Sequence, residues 1–182
     1  MKKTLIIFLS LLLFFTVNPI AFAKDVIETP SGFQIEKVQY DLPYPGILPD
    51  NPLYFLKAIR DNVFGFFISD PLKIADFDLL QADKRLGSAK TLFDKGNIPL
   101  SITTLSKSGN YFDKAIGFSE KAKIQGRDAN PIIDRLLVSS KKHEQIIFDM
   151  QKSSRGDNAN TYNYYLERTI DFQKRLEELK SK

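Results

Sequence analysis

Residues 70–96 read DPLKIADFDLLQADKRLGSAKTLFDKG, and the fold class turns on that stretch. Asp70 offers an acceptor to the free N–H groups of a helix start, and Pro71 suits the first helical position, where no N–H is needed. Gly96 supplies the left-handed residue on which helices commonly stop. Between them Leu72, Ala75, Leu79, Ala82, Leu86, Ala89 and Phe93 recur at alternating spacings of three and four, which marks one face of a helix. Phe77 and Leu80 widen that face. A rod of this kind, about 37 Å long at 1.5 Å per residue, has to bury its stripe against something.

Working outward, the same grammar recurs. Asn51-Pro52 and Asn130-Pro131 repeat the acceptor–proline start, and Gly126 and Gly156 repeat the stop. The segments so bounded are 52–67, 71–95, 98–125, 131–154 and 158–181. Leu105, Ser108, Phe112, Ala115, Ser119 and Ala122 form the second seam, with Ile98 and Ile102 nearby. Ile133, Leu136, Ser140, His143, Ile147 and Met150 form the third, and Tyr162, Tyr165, Thr169, Phe172, Leu176 and Leu179 the fourth. Ile116, Leu137 and Leu166 broaden these seams, which favours a bundle over a two-stranded coil. Matched lengths and short connections predict an all-α antiparallel four-helix bundle with a short helix ahead of it. The stops return about every 30 residues, so a helical-repeat array is the alternative, although such helices are long for it. Small residues in the first two long seams predict close approach of those helices.

The chain begins MKKTLIIFLSLLLFFTVNPIAFA, residues 1–23. Lys2 and Lys3 precede an uncharged run to Val17, Asn18-Pro19 breaks it, and Ala21-Phe22-Ala23 gives a small-x-small site. This predicts a secretory signal peptide, with an uncleaved anchor as the rival reading. Either way the folded part is exported and extracytoplasmic. Residues 24–50 carry Pro30, Pro43, Pro45 and Pro49 with Gly32 and Gly46, and read as a linker with at most a brief extended piece.

Composition narrows the function. Of 26 Lys and Arg, two lie in the leader, which leaves the rest nearly balanced against 22 Asp and Glu. That is no basic stripe for nucleic acid. The absence of cysteine removes disulfides, thiolate chemistry, Cys-based metal sites and a lipidated cysteine. His143 is the only histidine. His143-Glu144 starts an H-E-x-x-H pattern, but Ile147 stands at the second ligand position, so a zinc protease is rejected. Ser139-Ser140-Lys141-Lys142 contains S-x-x-K without its companion elements and reads as a solvated helix face. Asp76, Asp78 and Asp83, like Glu167, Glu177 and Glu178, also read as wet faces. The E-x-x-H of helical di-iron sites is missing, as are a calcium loop and a phosphate loop. No catalytic, cofactor-binding or metal-ligating residue is assigned, and no cofactor is expected.

Two positions stay open. His143 reads first as a hydrogen-bonded core histidine and second as a pH-sensitive residue whose protonation loosens the bundle. Tyr162 and Tyr165 fall on a seam, so of the tyrosines that could stack on sugar rings only Tyr164, with Asn163, is a contact candidate.

The stretch YPGILPDNPLYFLK, residues 44–57, leads into the short helix, where Leu56, Ile59, Val63 and Phe66 share a side and Phe64 and Phe67 add aromatic bulk around Gly65. One reading is a lid: this helix, with Tyr44, Ile47 and Leu48, covers the bundle. The other is an interaction surface of Phe64, Phe66 and Phe67, for a membrane or a protein. The same stretch, followed by Asp70-Pro71 and ADKRLGSAKTLFDKGN at 82–97, resembles a bacterial extracytoplasmic domain family of unknown function. Arg85-Leu86 and Lys95-Gly96 match its pattern, whereas Gly87 and Ser88 depart from it. The resemblance implies export, an all-helical fold and a link to anti-sigma-like regulators in some members, and it carries no catalytic residue. The expected function is therefore non-enzymatic binding to an envelope protein or a wall polymer, with peripheral membrane contact as a further partner class. An extracytoplasmic sensor of ligand, metal or pH is the first alternative, and an enzyme without a recognisable motif the second. A titratable pocket around His143 would favour sensing.

Overall fold

The computed structural model describes residues 38–181, apart from the side chains of residues 58, 61, 62 and 64–66. The expected signal peptide and the first part of the linker lie outside the described residues. Within them every regular element is a helix: α1 (Tyr54–Phe66), α2 (Pro71–Asp94), α3 (Ile98–Ile124), α4 (Asn130–Lys152) and α5 (Asp157–Ser181).

The helix ends follow from local chemistry. Asp70 Oδ1 accepts from the N–H groups of Leu72 and Lys73 at 2.9 and 3.2 Å. At the other end of α2, Gly96 at φ +78° lets its own N–H reach the Phe93 carbonyl and the Asn97 N–H reach that of Leu92, so two carbonyls freed by the helix end are satisfied. Asn130 is not the cap its sequence suggests. Ala129 holds that position without a side-chain bond, because its carbonyl already accepts from Ile133, and Asp128 Oδ1 takes the Asn130 N–H at 3.0 Å.

The seams predicted from spacing are the buried ones, except that Leu72, Phe93 and Tyr165 are partly exposed. α2 packs on α3 and α4 on α5, and the two pairs meet through α2 with α4 and α3 with α5. Helices that are not consecutive in the chain thus touch, and all four long helices share one packed interior. Small residues bring α2 and α3 close enough for Ser101 Oγ to donate to the Ala89 carbonyl and Ser108 Oγ to that of Ala82, both at 2.8 Å. Residues climb on one helix as their partners descend on the other. Between α3 and α5 the partners climb together, Ser101 with Tyr162, Asn110 with Arg168 and Asp113 with Arg175.

The core is divided. One apolar cluster gathers Leu79, Phe112, Ile116, Ile133, Leu136, Phe172 and Leu176, the other Leu86, Leu105, Ile147, Met150, Tyr162 and Leu166. On every long helix the change from one to the other falls near a polar residue: Asp83, Ser108, His143 and Thr169.

The lid is overturned. Leu53, Leu56, Ile59 and Val63 are each more than half exposed, as are Phe67 at 76% and Tyr44 at 83%. Among the described residues no substantial packing joins α1 to any long helix. The reason is that the four seams already close on one another and leave α1 no uncovered core. The preceding segment, read as a linker, instead lies along the bundle. Leu42 packs into the second cluster, the Pro45 ring lies over Gly87, and Lys95 pairs with Asp50 at 2.8 Å.

Candidate functional site

Two features stand out against the packed seams: a buried polar node and an exposed apolar stripe. The node is built on Asp83, whose residue surface is 2% exposed. Its Oδ1 accepts from Ser139 Oγ at 2.7 Å and from His143 Nε2 at 2.9 Å, and its Oδ2 from the Tyr40 hydroxyl at 2.5 Å. A carboxylate can only accept, so Nε2 carries a hydrogen. Burial pushes the Asp83 carboxyl up, but the bond and charge of His143 and the Tyr40 and Ser139 hydroxyls outweigh it and hold the group below the usual range, as hydrogen bonds to an ionised form do. Burial and then the Asp83 bond raise the Tyr40 phenol well above its ordinary value.

These side chains come from three places, the incoming segment, α2 and α4. His143 also sets its ring edge to Phe112, with centroids 5.0 Å apart, and Phe112 stacks on Phe172. The cavity beside His143, lined by Ser108, Arg168 and Thr169 among others, holds about 10 Å³, room for about one water. That is no ligand pocket. Ser139 donates to Asp83, with no bond to His143, so the nucleophile–base contact of a serine hydrolase is not formed. Nor does Lys142 serve Ser139, since its Nζ faces Gln145 Oε1 at 3.4 Å.

The wet-face reading is therefore corrected for Asp83, Asp78 and Ser139, all buried. Asp78 has a carboxyl pushed up to about 6 by burial, with Lys114 and Arg85 pulling weakly the other way. Arg85 is itself buried. Its Nη1 donates to the Gln81 carbonyl and Oε1, and its guanidinium lies 4.1 Å from the Tyr111 ring centre. Among the described residues no group of three or more His, Asp or Glu could hold a metal.

The stripe lies on α1 and on Phe67, the residue that follows it. Phe55, Leu56, Ile59, Val63 and Phe67 follow helical spacing and span roughly a third of the circumference at 100° per residue. All five are more than half exposed. Asn51 Oδ1 accepts from the Leu53 N–H at 2.9 Å just ahead of the helix. The Lys57 ammonium reaches back to the Pro45 and Ile47 carbonyls, which fastens α1 to its lead-in loop. Phe64 and Phe66 belong to this helix, and their side chains lie outside the described residues. Tyr164 is 59% exposed on α5, its ring against that of Tyr165. It shares no element with Phe67.

The family described as Domain of unknown function (DUF5667) matches residues 46–181, α1 and the whole bundle together. The chain belongs to that family. No curated protein and no solved structure matches it. The DUF5667 match takes in Asp83, Ser139 and His143 and every member of the stripe, while Tyr40, which closes the node, lies ahead of it. Tyr40 and Ser139 were the partners that sequence reasoning missed. The usable signal was weak: α2 carries polar residues on two sides, and only a second covering layer could have told that they are buried.

Proposed function

We propose that this DUF5667 chain is a four-helix bundle of two antiparallel helix pairs, carried outside the cytoplasm by its leader, and that it acts by binding rather than catalysis through the apolar stripe of α1. One observation carries the reading. Four large apolar side chains share one side of α1, Phe67 just past its end continues the row, and each is more than half exposed, although the bundle beside them buries its own seams completely enough to need no cover. Exposed apolar patches of this sort are where proteins meet partners or membranes. The buried node supports the same reading from the other side, because its groups are spent on one another and the cavity beside His143 has room for about one water.

The test is capture from an envelope fraction by the full chain and by a Val63→Ser, Leu56→Ser double variant. Retention of envelope components falls about tenfold or more, as loss of two buried apolar contacts implies, while the urea stability stays within about 0.5 kcal/mol per change. Equal capture by both proteins, or a variant that unfolds, removes the proposal.

A further inference from the structure

The occupant of the stripe can be named by its chemistry. We infer that α1 lies in the plane of a lipid surface, with Phe55, Ile59, Val63 and Phe67 immersed at the boundary between headgroups and acyl chains. This rests on the reading of α1 as the binding surface.

Three observations favour lipid over protein. The first is the character of the stripe. Its five described members, Phe55, Leu56, Ile59, Val63 and Phe67, hold no side-chain hydrogen-bonding group. A protein interface sets its apolar centre within a rim of matched polar contacts, whereas a bilayer asks only for apolar surface on one side of a helix whose backbone is internally satisfied. The second is shape. α1 has 13 residues, about 20 Å, too short to cross the ~30 Å hydrocarbon layer and suited to lying along it. No helix among the described residues is long and apolar enough to cross a membrane. Tyr44, 83% exposed in the lead-in, is of the amphipathic aromatic type that settles at headgroup depth.

The third is where the chain comes from. The described residues begin at Val38, and the sequence ahead of them contains the uncharged run Thr4–Val17. Whether cleaved or kept, a leader of that kind brings the chain to a bilayer. Fully extended, the stretch from Val17 to Tyr54 spans at most about 130 Å, so α1 emerges within reach of the surface that its leader enters. A leader kept in place would act as a second anchor, and two weak anchors on one chain bind far more firmly than either alone.

The chain contains no tryptophan, so Phe67→Trp installs a single reporter at an exposed site. The experiment mixes this full-length variant with vesicles of phosphatidylglycerol and phosphatidylcholine, including vesicles with brominated acyl chains. Because the signal comes from residue 67 itself, attachment through the leader alone does not produce it. The expected result is a blue-shifted emission that bromine quenches. Adding Ile59→Glu and Val63→Glu should weaken the partition about tenfold or more. An unshifted, unquenched emission in the presence of vesicles overturns the inference. A blue shift that grows with protein concentration without lipid assigns the stripe to a second copy, and one that needs envelope protein assigns it to a protein partner. Both overturn the lipid assignment and leave binding through the stripe standing. If vesicles and envelope protein both leave the signal unmoved, the proposed function falls with it.

Discussion

Asp83 and Ile59 sit on consecutive helices of one chain, the carboxylate 2% exposed and the isoleucine 56%. Each occupies the environment usual for the other. The carboxylate tolerates burial because three donors fill its lone pairs: Tyr40 from the incoming segment, Ser139 and His143 from α4. Nothing comparable compensates Ile59, since exposed apolar surface is offset only when something covers it. The contrast separates a structural exception that is complete within the molecule from one that is left open to solvent. Burial by itself therefore does not mark the functional site; the test is whether an unusual group has its partner inside the chain.

The largest effect expected from breaking this contrast is at the node. Asp83→Ala leaves the His143 Nε2–H and two hydroxyls buried without an acceptor, and loss of one side of a buried pair costs about 3–5 kcal/mol. Urea unfolding near neutral pH measures it. Because the folded Asp83 carboxyl titrates below its unfolded counterpart, its stabilisation is complete above the unfolded value of about 4 and fades as pH falls through the folded one. The gap between wild type and variant therefore narrows in acid. A difference under about 1 kcal/mol at neutral pH would mean that water reaches the node, and the comparison with α1 would lose its footing.

Asp78 tests the opposite case, a buried carboxyl without a hydrogen-bonding partner set. Raised to about 6, it holds its proton more tightly folded than unfolded. Its neutral form suits the fold at low pH, and that advantage is lost as pH climbs from about 4 through 6. Arg85 and Lys114 offset only part of the desolvation. Asp78→Asn should therefore stabilise the chain by about 1–2 kcal/mol at pH 7.5, after discounting for screening, and by almost nothing below pH 4. Unfolding curves at the two pH values decide it. A variant that is less stable at pH 7.5 would show that the two cations hold Asp78 as firmly as the node holds Asp83.

Much of this architecture is legible in the sequence because helix ends and seams are local properties. Asp70-Pro71, the glycine stops and the Leu79–Ala82–Leu86 spacing act within a few residues of chain, and the helices fall within a residue or two of where they were expected. The node depends on long-range placement. No spacing rule links Asp83 to His143 or Tyr40 to Asp83, and α2 reads as one-sided until the segment around Leu42 and Pro45 is seen to cover its other side. The stripe was half legible: the apolar side of α1 is plain, but whether it faces core or solvent depends on whether the other four helices leave an opening, and that is a property of the whole bundle.

Gly87 lies at the junction of the two regions, where the segment that carries Tyr40 to the node continues through Pro45 toward α1. In mid-helix, glycine is less favourable than alanine by about 1 kcal/mol. A Cβ built at Gly87 meets the Pro45 ring atoms at 3.9 Å, an ordinary contact that adds packing without pushing. At Gly109 the same atom would come within 3.0 Å of Arg168 Nη1, so the two glycines are not equivalent. Gly87→Ala should accordingly stabilise the chain by about 0.5–1 kcal/mol, read from urea midpoints, with capture through α1 unchanged. Destabilisation would mean that Pro45 presses on α2 more closely than van der Waals contact. The loop carbonyls that hold Lys57 would then shift with it, and the internally completed region and the outward-facing one would prove to be mechanically coupled rather than merely adjacent.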